Sequence, residues 1–330
     1  MSLFNLNLNK KAKKIGVLTS GGDGPGMNAA IRSVVRSALN SGIEVDGIMK
    51  GYAGLLNEEI IPLNHRSVSN IIGRGGTILK TARSKEFGTD EGKEKAVKIL
   101  HKHNLDALVV IGGDGSYRGA TALWEKYHFP TIGLPGTIDN DLNGTDQTIG
   151  CYTAVNTALD AIDKIRDTGH SMERIFIIEV MGNKSGYIAV EVALGAGAED
   201  VIIPERHFDY ERMCHEVKEG HAKGKISWMI VVAEGAGKAH EIANTITTMT
   251  GLESRFVVLG HVQRGGTPMG QDRILATRLG AAAVDLINQG IYGKAVGVLQ
   301  DQINVIDLKD ATGKEFEHLD AFVKLLKVLI

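Results

Sequence analysis

The sequence predicts an α/β protein of two doubly wound α/β lobes with mainly parallel sheets and an interlobe active-site cleft. Three observations carry that expectation. The chain has 330 residues, more than a single hydrophobic core comfortably spans, so two lobes are the natural division. Short β-branched runs ending in glycine alternate with helix-like segments along its length, the pattern of strands buried on both faces of a parallel sheet. There are 41 glycines and only 6 prolines in a chain that is 43% hydrophobic and 23% charged, which fits a soluble α/β protein with many glycine-dependent turns.

The opening "MSLFNLNLNKKAKK" shows neither strand alternation nor a capped helix and has no apolar signal core, so it reads as a poorly ordered lead-in. "KIGVLTS" (14–20) is the first strand. In "MNAAIRSVVRSALNSG" (27–42), Ala30, Ile31, Val34, Val35 and Ala38 recur at helical spacing and Gly42 supplies a C-terminal stop. Further strands are expected in "EVDGIMKG", "DALVVIGG" (106–113), "PTIGLP", "RIFIIEVMG", "SWMIVVAEG" and "RFVVLG", with helices at 153–166 and 272–289. The tail after 300 ends in an amphipathic stretch suited to packing. Lobe changes are placed near 150 and 262, giving residues 1–150 with about 263–313 as one lobe and 151–262 with about 314–330 as the other.

A formal net charge of −2 offers no broad field for nucleic acid, although a local basic pocket would be hidden in the sum. No apolar run approaches the roughly 18 residues that span a bilayer, and a cytoplasmic location is expected. Cys151 and Cys214 lack metal or redox spacing and read as reduced thiols without chemistry.

In doubly wound sheets, ligands bind beyond the carboxyl ends of strands, so the strand-to-helix loops matter most. These are "GGDGPGMN" (21–28), "GGDGS" (112–116), "PGTIDND" (135–141) and "EVMGNKSG" (179–186). Consecutive glycines let backbone N–H groups approach phosphate oxygens, and the following helix adds its positive end. Each loop could be a tight turn alone, but two share a GGDG core. "GPGMNA" also fits a dinucleotide fingerprint with Asp46 downstream. Hydride transfer would need neither the second GGDG loop nor the aspartate cluster, so that reading ranks behind phosphoryl transfer.

Asp114 beside a phosphate would be repelled unless a Mg²⁺ ion bridged the two. Its alternative is to cap the next helix, where Ser116 could serve as well. Asp139 or Asp141 could accept the proton of an attacking hydroxyl. If the segment is extended, both point to one side and can divide the work. Asp146 reads as a turn or cap residue. Downstream, Arg255, His261 and Arg264 are placed around a strand end and Arg174 precedes another strand. Guanidinium forks match phosphate geometry, so these form the candidate phosphate set.

Taken in order, "LTSGGDGPGMNAAIR", "VVIGGDGSY", "GLPGTIDNDL", "EVMG" and "VLGHVQRGGTP" resemble bacterial 6-phosphofructokinases from about residue 14 to 300. The resemblance implies transfer of the γ-phosphate of ATP, with Mg²⁺, onto the 1-hydroxyl of fructose 6-phosphate. It also implies a homotetramer with active and effector sites at subunit contacts, the effectors being phosphorylated molecules such as ADP or phosphoenolpyruvate. By position it makes Asp139 the base, with Thr137, Ile138 and Asp141 beside it, and Asp114 the Mg²⁺ ligand. Nucleotide contacts fall on Gly22, Tyr52, Arg83, Ser84, Gly113, Asp114, Gly115 and Ser116. Sugar contacts fall on Met181, Gly182, Asn183 and Glu234. The 6-phosphate falls to His261 and Arg264 of one subunit and to Arg174 and Arg255 of its neighbour. Effector positions are Arg32, Arg36, His65, Arg166, Glu199, Lys223 and Lys225.

Departures from the family pattern are specific. Asn183 stands where relatives commonly carry an arginine near the transferred phosphate. Gly88 and Lys93 replace arginines near the nucleotide. His65, followed by Arg66, replaces an effector-site arginine, so a group charged only when protonated stands in for a permanent cation. "DTGHSM" (167–172), expected in a loop, is also unusual. Relatives that use pyrophosphate resemble Asp and Lys at the positions of Gly115 and Gly136, so glycine at both favours ATP. The rivals are a pyrophosphate-dependent enzyme and a non-catalytic nucleotide-binding subunit.

Overall fold

A computed structural model of the chain describes residues 12–314 and 319–329. Most of the expected N-terminal lead-in, up to residue 11, lies outside the described residues. In chain order the first elements are β1 (Lys14–Ser20), α1 (Met27–Asn40), β2 (Glu44–Ile48), α2 (Gly51–Leu56), β3 (Ile60–Leu63), α3 (Asp90–Lys102), β4 (Ala107–Gly112), α4 (Asp114–Tyr127) and β5 (Thr131–Pro135). There follow α5 (Cys151–Met172), β6 (Ile175–Val180), α6 (Tyr187–Ala196), β7 (Asp200–Ile202), α7 (Tyr210–Ala222), β8 (Trp228–Ala233), α8 (Ala239–Thr250) and β9 (Ser254–Val258). The chain ends with α9 (Gly270–Asn288), β10 (Lys294–Leu299), β11 (Gln302–Asp307) and α10 (Leu319–Val328). Residues 167–172, expected in a loop, form the last turns of α5, because helical hydrogen bonding continues well past 166. Among the described residues no helix is long and apolar enough to cross a membrane.

Two compact units divide the described chain: residues 12–152 together with Arg264–Lys314, and Thr153–Gln263 together with the segment from Leu319. The first holds a seven-stranded sheet in the order β11-β10-β5-β4-β1-β2-β3. Its five central strands are parallel, and the edge strands β3 and β11 run antiparallel to their neighbours. Side-chain alternation explains the layering. Along β4, Ala107, Val109 and Ile111 enter one apolar cluster with α1 and α9, while Leu108 and Val110 enter another with α3 and α4. Both faces of the sheet are thus covered by helices, as a continuous apolar strand requires.

Close helix packing in the first cluster depends on a small residue. A Cβ on Gly280 of α9 would lie 2.6 Å from Cβ of Ser33 on α1, and Ser33 Oγ donates to the Thr277 carbonyl at 2.6 Å. The β10–β11 hairpin turns through Gln300 (φ 48) and Asp301 (φ 61), the left-handed pair that matches strand twist. Asp146 serves this turn, its carboxylate accepting the Gln300 N–H at 2.7 Å.

The second unit holds a four-stranded parallel sheet, order β7-β8-β6-β9. Ile175, Ile177, Ile230 and Val232 pack there on Met213, Val217, Ile242 and Ile246 from α7 and α8. The expected amphipathic tail is α10, which buries Leu319, Val323 and Leu326 and packs on α6 and β7.

Candidate active site

In the first unit the chain reverses direction across the sheet between β1 and β4. It leaves β1 towards β2 and β3, then returns to build β4, β5, β10 and β11 on the other side. Register pairs Ser20 with Gly112 and Gly112 with Pro135, so the loops after β1, β4 and β5 leave one edge side by side. That edge is the switch point where such sheets bind ligands.

The three loops touch. The Cβ site of Gly21 lies 3.4 Å from Ser116 Oγ, that of Gly113 lies 3.2 Å from Thr137 Cβ, and that of Gly24 lies 3.5 Å from Ile138 Cγ2. Gly26 (φ 99) and Gly113 are the N-cap residues of α1 and α4, and neither helix has a side-chain cap. By contrast Thr89 and Asp209 cap α3 and α7 with their side chains. Placed at the switch point and left without side-chain caps, the first N–H groups of α1 and α4 are suited to an anion. Neither Asp114 nor Ser116 caps α4, which corrects the alternative raised for Asp114. The Asp114 carboxylate is instead held by Arg118 one turn on, at 2.9 and 3.3 Å.

Asp139 is 8% exposed, and Thr137 Oγ1 accepts its backbone N–H at 3.2 Å. The expectation that Asp139 and Asp141 share a side through extended backbone fails, because Asn140 between them is left-handed (φ 53) and breaks the two-residue alternation. Asn140 tolerates that conformation through its short polar side chain, and its Nδ2 donates to the Asp146 carbonyl at 3.0 Å. Asp141 is half-buried, and burial pushes its carboxyl above the usual carboxylate range. Asp114 adds to that shift, while its own backbone N–H and Lys314 oppose it. Its Oδ1 is buried without a hydrogen-bond partner among the described residues.

Supporting residues that sequence reasoning missed hold these loops in place. Buried Asn28 donates to the carbonyls of Arg74 and Gly75 and accepts the Ile78 N–H at 2.8 Å, tying the 74–78 segment to the start of α1. Asp272, fully buried, accepts the Gly150 N–H at 2.8 Å. Lys314 Nζ donates to the Thr145 carbonyl at 2.9 Å. Asn28 follows the glycine loop and could have been flagged; Asp272 and Lys314 are far along the chain and carry no local signal.

Tyr52 is only 5% exposed, its hydroxyl donating to the Ser116 carbonyl at 2.8 Å. Its ring stacks on Phe87 at 3.8 Å, and Ser84 Oγ accepts the Phe87 N–H at 3.1 Å. Tyr52, Ser84 and the Gly113–Ser116 loop are therefore joined, with Arg83 exposed beside them. Gly115 faces open space, whereas a Cβ on Gly136 would meet Ile111 Cγ2 at 2.8 Å and the Gly112 N at 3.2 Å. Packing alone thus calls for glycine at 136. Gly88 also faces open space, and Lys93 Nζ donates to its carbonyl at 2.9 Å. Asp46 forms a 2.7 Å ion pair with Lys14 towards the amino end of the sheet, so the acidic residue of the dinucleotide reading is engaged away from the glycine loops.

In the second unit, the loops after β6, β8 and β9 gather at one edge. Gln263, fully buried, accepts the Met181 N–H at 2.8 Å, and Glu234 accepts the Asn183 N–H at 2.9 Å. Gly182 (φ 145) and Asn183 (φ 55) are both at positive φ, a turn in which asparagine is well tolerated. His261 is exposed on the short 3₁₀ helix Gly260–Arg264. Arg255 does not join it. It sits at the amino end of β9, beside Arg174 ahead of β6, and Glu253 pairs with both arginines. About 3.3 Å of rise per strand residue separates the two ends, which corrects the expected grouping of Arg255 with His261.

The candidate effector residues do not form one group within either unit. Arg166 donates to the carbonyls of Ala196 and Gly197. Lys225 pairs with Glu199 at 3.1 Å and lies over the Trp228 ring. Arg166, Arg174 and Glu199 line a cavity of about 10 Å³, room for about one water. Lys223 pairs with Glu219 at 3.7 Å on the exposed end of α7. Arg32 and Arg36 are half-buried on α1, and exposed His65 sits in a turn whose backbone Asn64 holds through the Arg66 and Ser67 N–H groups. A hollow of about 470 Å³ lined by Lys13, Lys14, Glu44, His101, Asn104, Leu105 and Asp106 contains none of the expected residues.

An open parallel sheet with glycine-rich loops, uncapped helix ends and carboxylates at its switch point defines an α/β protein built to handle phosphorylated ligands. The chain belongs to the phosphofructokinase family, whose model, described as Phosphofructokinase, matches residues 14–287. It is 52% identical over 317 residues to an ATP-dependent 6-phosphofructokinase of Clostridium tetani, covering 96% of this chain and 99% of that protein. To ATP-dependent 6-phosphofructokinase 1 of Thermus thermophilus it is 51% identical over 319 residues, covering 96% and 99%. Its fold is also that of phosphofructokinase from Saccharomyces cerevisiae (TM-score 0.82, 36% identity), covering 96% of this chain and 46% of the yeast chain. The present chain thus spans about half the length of the yeast one.

Proposed function

We propose that this chain is an ATP-dependent 6-phosphofructokinase that transfers the γ-phosphoryl group of ATP to the 1-hydroxyl of fructose 6-phosphate, yielding fructose 1,6-bisphosphate and ADP. The observation that carries the proposal is the junction of three loops at one sheet edge: two glycine-rich loops leading into uncapped helices, and the Thr137–Asp141 loop with its buried carboxylates. The ATP-dependent 6-phosphofructokinases to which the chain is similar support the same reading.

In this reading the N–H groups of the 21–26 and 113–116 loops receive nucleotide phosphates. Asp139 takes the proton as the sugar oxygen bonds to the γ-phosphorus. Glu234, Met181, Gly182 and Asn183 hold the sugar, and His261 with Arg264 meets its 6-phosphate. Arg174 and Arg255, at the opposite end of their sheet, serve the site of a neighbouring subunit in a homotetramer.

The donor set fits Mg²⁺ brought with the nucleotide. No group of three or more His, Cys, Asp or Glu among the described residues could hold a metal alone. Asp114 and Asp141, whose buried Oδ1 has no partner, would hold the ion together with phosphate oxygens and water, as Mg²⁺ prefers. When bound, the ion neutralises charge on the phosphates. Phosphorylated effectors such as ADP or phosphoenolpyruvate would address Arg32, Arg36, His65, Arg166, Glu199, Lys223 and Lys225, and the location is cytoplasmic.

The test compares ATP with pyrophosphate as donor to fructose 6-phosphate, with Mg²⁺ present. ADP formation matched by fructose 1,6-bisphosphate is expected with ATP only. Turnover with pyrophosphate alone would replace this reading with a pyrophosphate-dependent enzyme. Nucleotide binding without turnover would replace it with a non-catalytic subunit.

A further inference from the structure

The loop that carries Asp139 and Asp141 is built against the segment that follows β11. Leu142 forms an antiparallel bridge with Thr312, and the Asn143 N–H donates to the Ala311 carbonyl at 2.9 Å. Asn143 Nδ2 donates to the carbonyls of Asp310 and Thr312 at 3.2 and 3.1 Å. Two residues on, Thr145 Oγ1 accepts the Val298 N–H at 3.1 Å, and the Asp146 N–H donates to the Val298 carbonyl at 2.7 Å. The Thr145 carbonyl takes a charged donor: Lys314 Nζ reaches it at 2.9 Å from 169 positions further along the chain.

A neutral donor would satisfy a carbonyl equally well. A lysine there adds charge to a loop that crowds Asp139, Asp141 and Asp146 into eight positions. Lys314 is half-buried, and burial pushes its ammonium below the usual lysine range, against the pull of Cys151, Asp146 and Asp141. Keeping a cation partly out of water is costly unless it has partners. Asp141 benefits in return, since Lys314 favours its charged form against burial and the repulsion of Asp114. The hydrogen bond goes to the Thr145 carbonyl and leaves Asp141 Oδ1, buried without a hydrogen-bond partner among the described residues, open to a ligand.

We propose that Lys314 is a positioning residue for phosphoryl transfer: its ammonium clamps the Thr145 carbonyl, fixes the 139–146 loop on the segment after β11, and sets a positive charge among the loop's aspartates. This rests on the ATP-dependent phosphotransferase reading above. In this role Lys314 makes no contact with the reacting atoms and moves no proton. It acts through Asp139, whose loop it orients, and through Asp141, whose charge it supports inside the protein. Both aspartates must be in place before the nucleotide and sugar arrive, because a small misplacement of a reacting group is expensive in rate.

Three substitutions separate the donor from the charge. Lys314→Met removes both and keeps an apolar stem, Lys314→Gln keeps an N–H donor without the charge, and Lys314→Arg keeps both. With ATP, Mg²⁺ and fructose 6-phosphate, Lys314→Met is expected to lower kcat by roughly tenfold, the worth of one hydrogen bond from a charged donor, with either KM changed by no more than about twofold. Lys314→Gln falls between Met and wild type, and Lys314→Arg stays within about threefold of wild type, since a single carbonyl does not discriminate between the two cations. Two readouts are independent of turnover. In the ligand-free protein, amides of 139–146 exchange faster in Lys314→Met and recover in Lys314→Arg. At pH 7 the melting loss caused by Lys314→Met is smaller in an Asp141→Asn background, because the charge it serves is gone. If Lys314→Met does not fold, Lys314→Gln carries the same comparisons. Native kcat in Lys314→Met and Lys314→Gln would overturn the proposal, as would a raised KM for ATP at unchanged kcat, which would make the lysine a ligand contact. Failure of Lys314→Arg to restore kcat, or an equal melting loss in both backgrounds, would overturn it too. A wild-type protein without ATP-dependent turnover would overturn the functional reading itself, whereas an active wild type with any of these results overturns the role of Lys314 alone.

Discussion

Asp139 and Asp141 are two positions apart, and the left-handed Asn140 between them assigns them different surroundings. If Asp139 is the base, Asp139→Asn lowers kcat by roughly 10²-fold. Asp141 carries a different signature. Its carboxyl is raised above the ordinary 3.8 chiefly by burial, so its protonated form favours the folded state, and that contribution is lost as pH rises through the folded-state pKa. At neutral pH the charged, buried Asp141 therefore costs stability. Asp141→Asn should melt higher than wild type at pH 7, and the gain should shrink as pH falls below the ordinary carboxylate range, where wild type is protonated too. Calorimetry across pH 3 to 8 checks this, and a variant that melts lower than wild type at pH 7 would refute the electrostatic account. Under the proposed function, that cost accompanies a part in holding Mg²⁺.

At the scale of elements, periodicity and glycine placement were sufficient for most of the parallel strands. "KIGVLTS" is β1 residue for residue, and Gly42 (φ 74) follows α1 as the expected stop. β7 has three residues, too short for a periodic signal, and α5 runs through Gly169 past its expected end, a glycine that costs helix propensity without stopping the helix. The amphipathic pattern of α10 foretold packing but not its polar anchors. Lys327 pairs with Asp200 at 2.7 Å and Glu216 at 3.0 Å, and Arg206 with Asp320 at 3.3 Å. Asp200 is 3% exposed, and burial pushes its carboxyl up against the opposing pull of Lys327. Lys327→Met leaves that carboxylate without its cation, the Val201 N–H still donating to it, and should cost roughly 1–3 kcal/mol, less than the ~3–5 of a fully buried pair because the lysine keeps some solvent. Faster amide exchange across α10 is the expected readout, largely reversed by adding Asp200→Asn. Unchanged exchange in Lys327→Met would show that apolar packing alone holds the helix.

For the whole molecule, the open edge of the second sheet is the informative feature. β9 has one paired neighbour, and Phe256, Val258 and Val262 on or just beyond it are 51%, 53% and 59% exposed. Edge strands carrying such residues associate unless blocked. Glu253 meanwhile gathers Arg174 and Arg255 at the amino end of this strand, away from His261; under the proposed function the two serve a neighbour's site. Light scattering should give four times the 35.4 kDa chain mass. Phe256→Glu should yield smaller species with weakened binding of fructose 6-phosphate. A wild-type monomer with full activity would remove the neighbouring subunit from the scheme.

The sequence by itself determined the α/β class, the strand-end glycine loops, the aspartate cluster and the family. These signals are local: hydrophobic period, turn chemistry, and motifs read within a few residues of one another. Only the tertiary structure decided that Arg264 rests on Gly22, with its donor and acceptor 241 positions apart, that Lys314 lies near Asp141, and that Tyr52 is a buried strut under Ser116. It also set Arg255 beside Arg174 on Glu253 and turned Asn140 left-handed between two aspartates. Such outcomes depend on which side chains fill which spaces once the sheets are assembled, and packing between distant segments leaves no periodic trace along the chain.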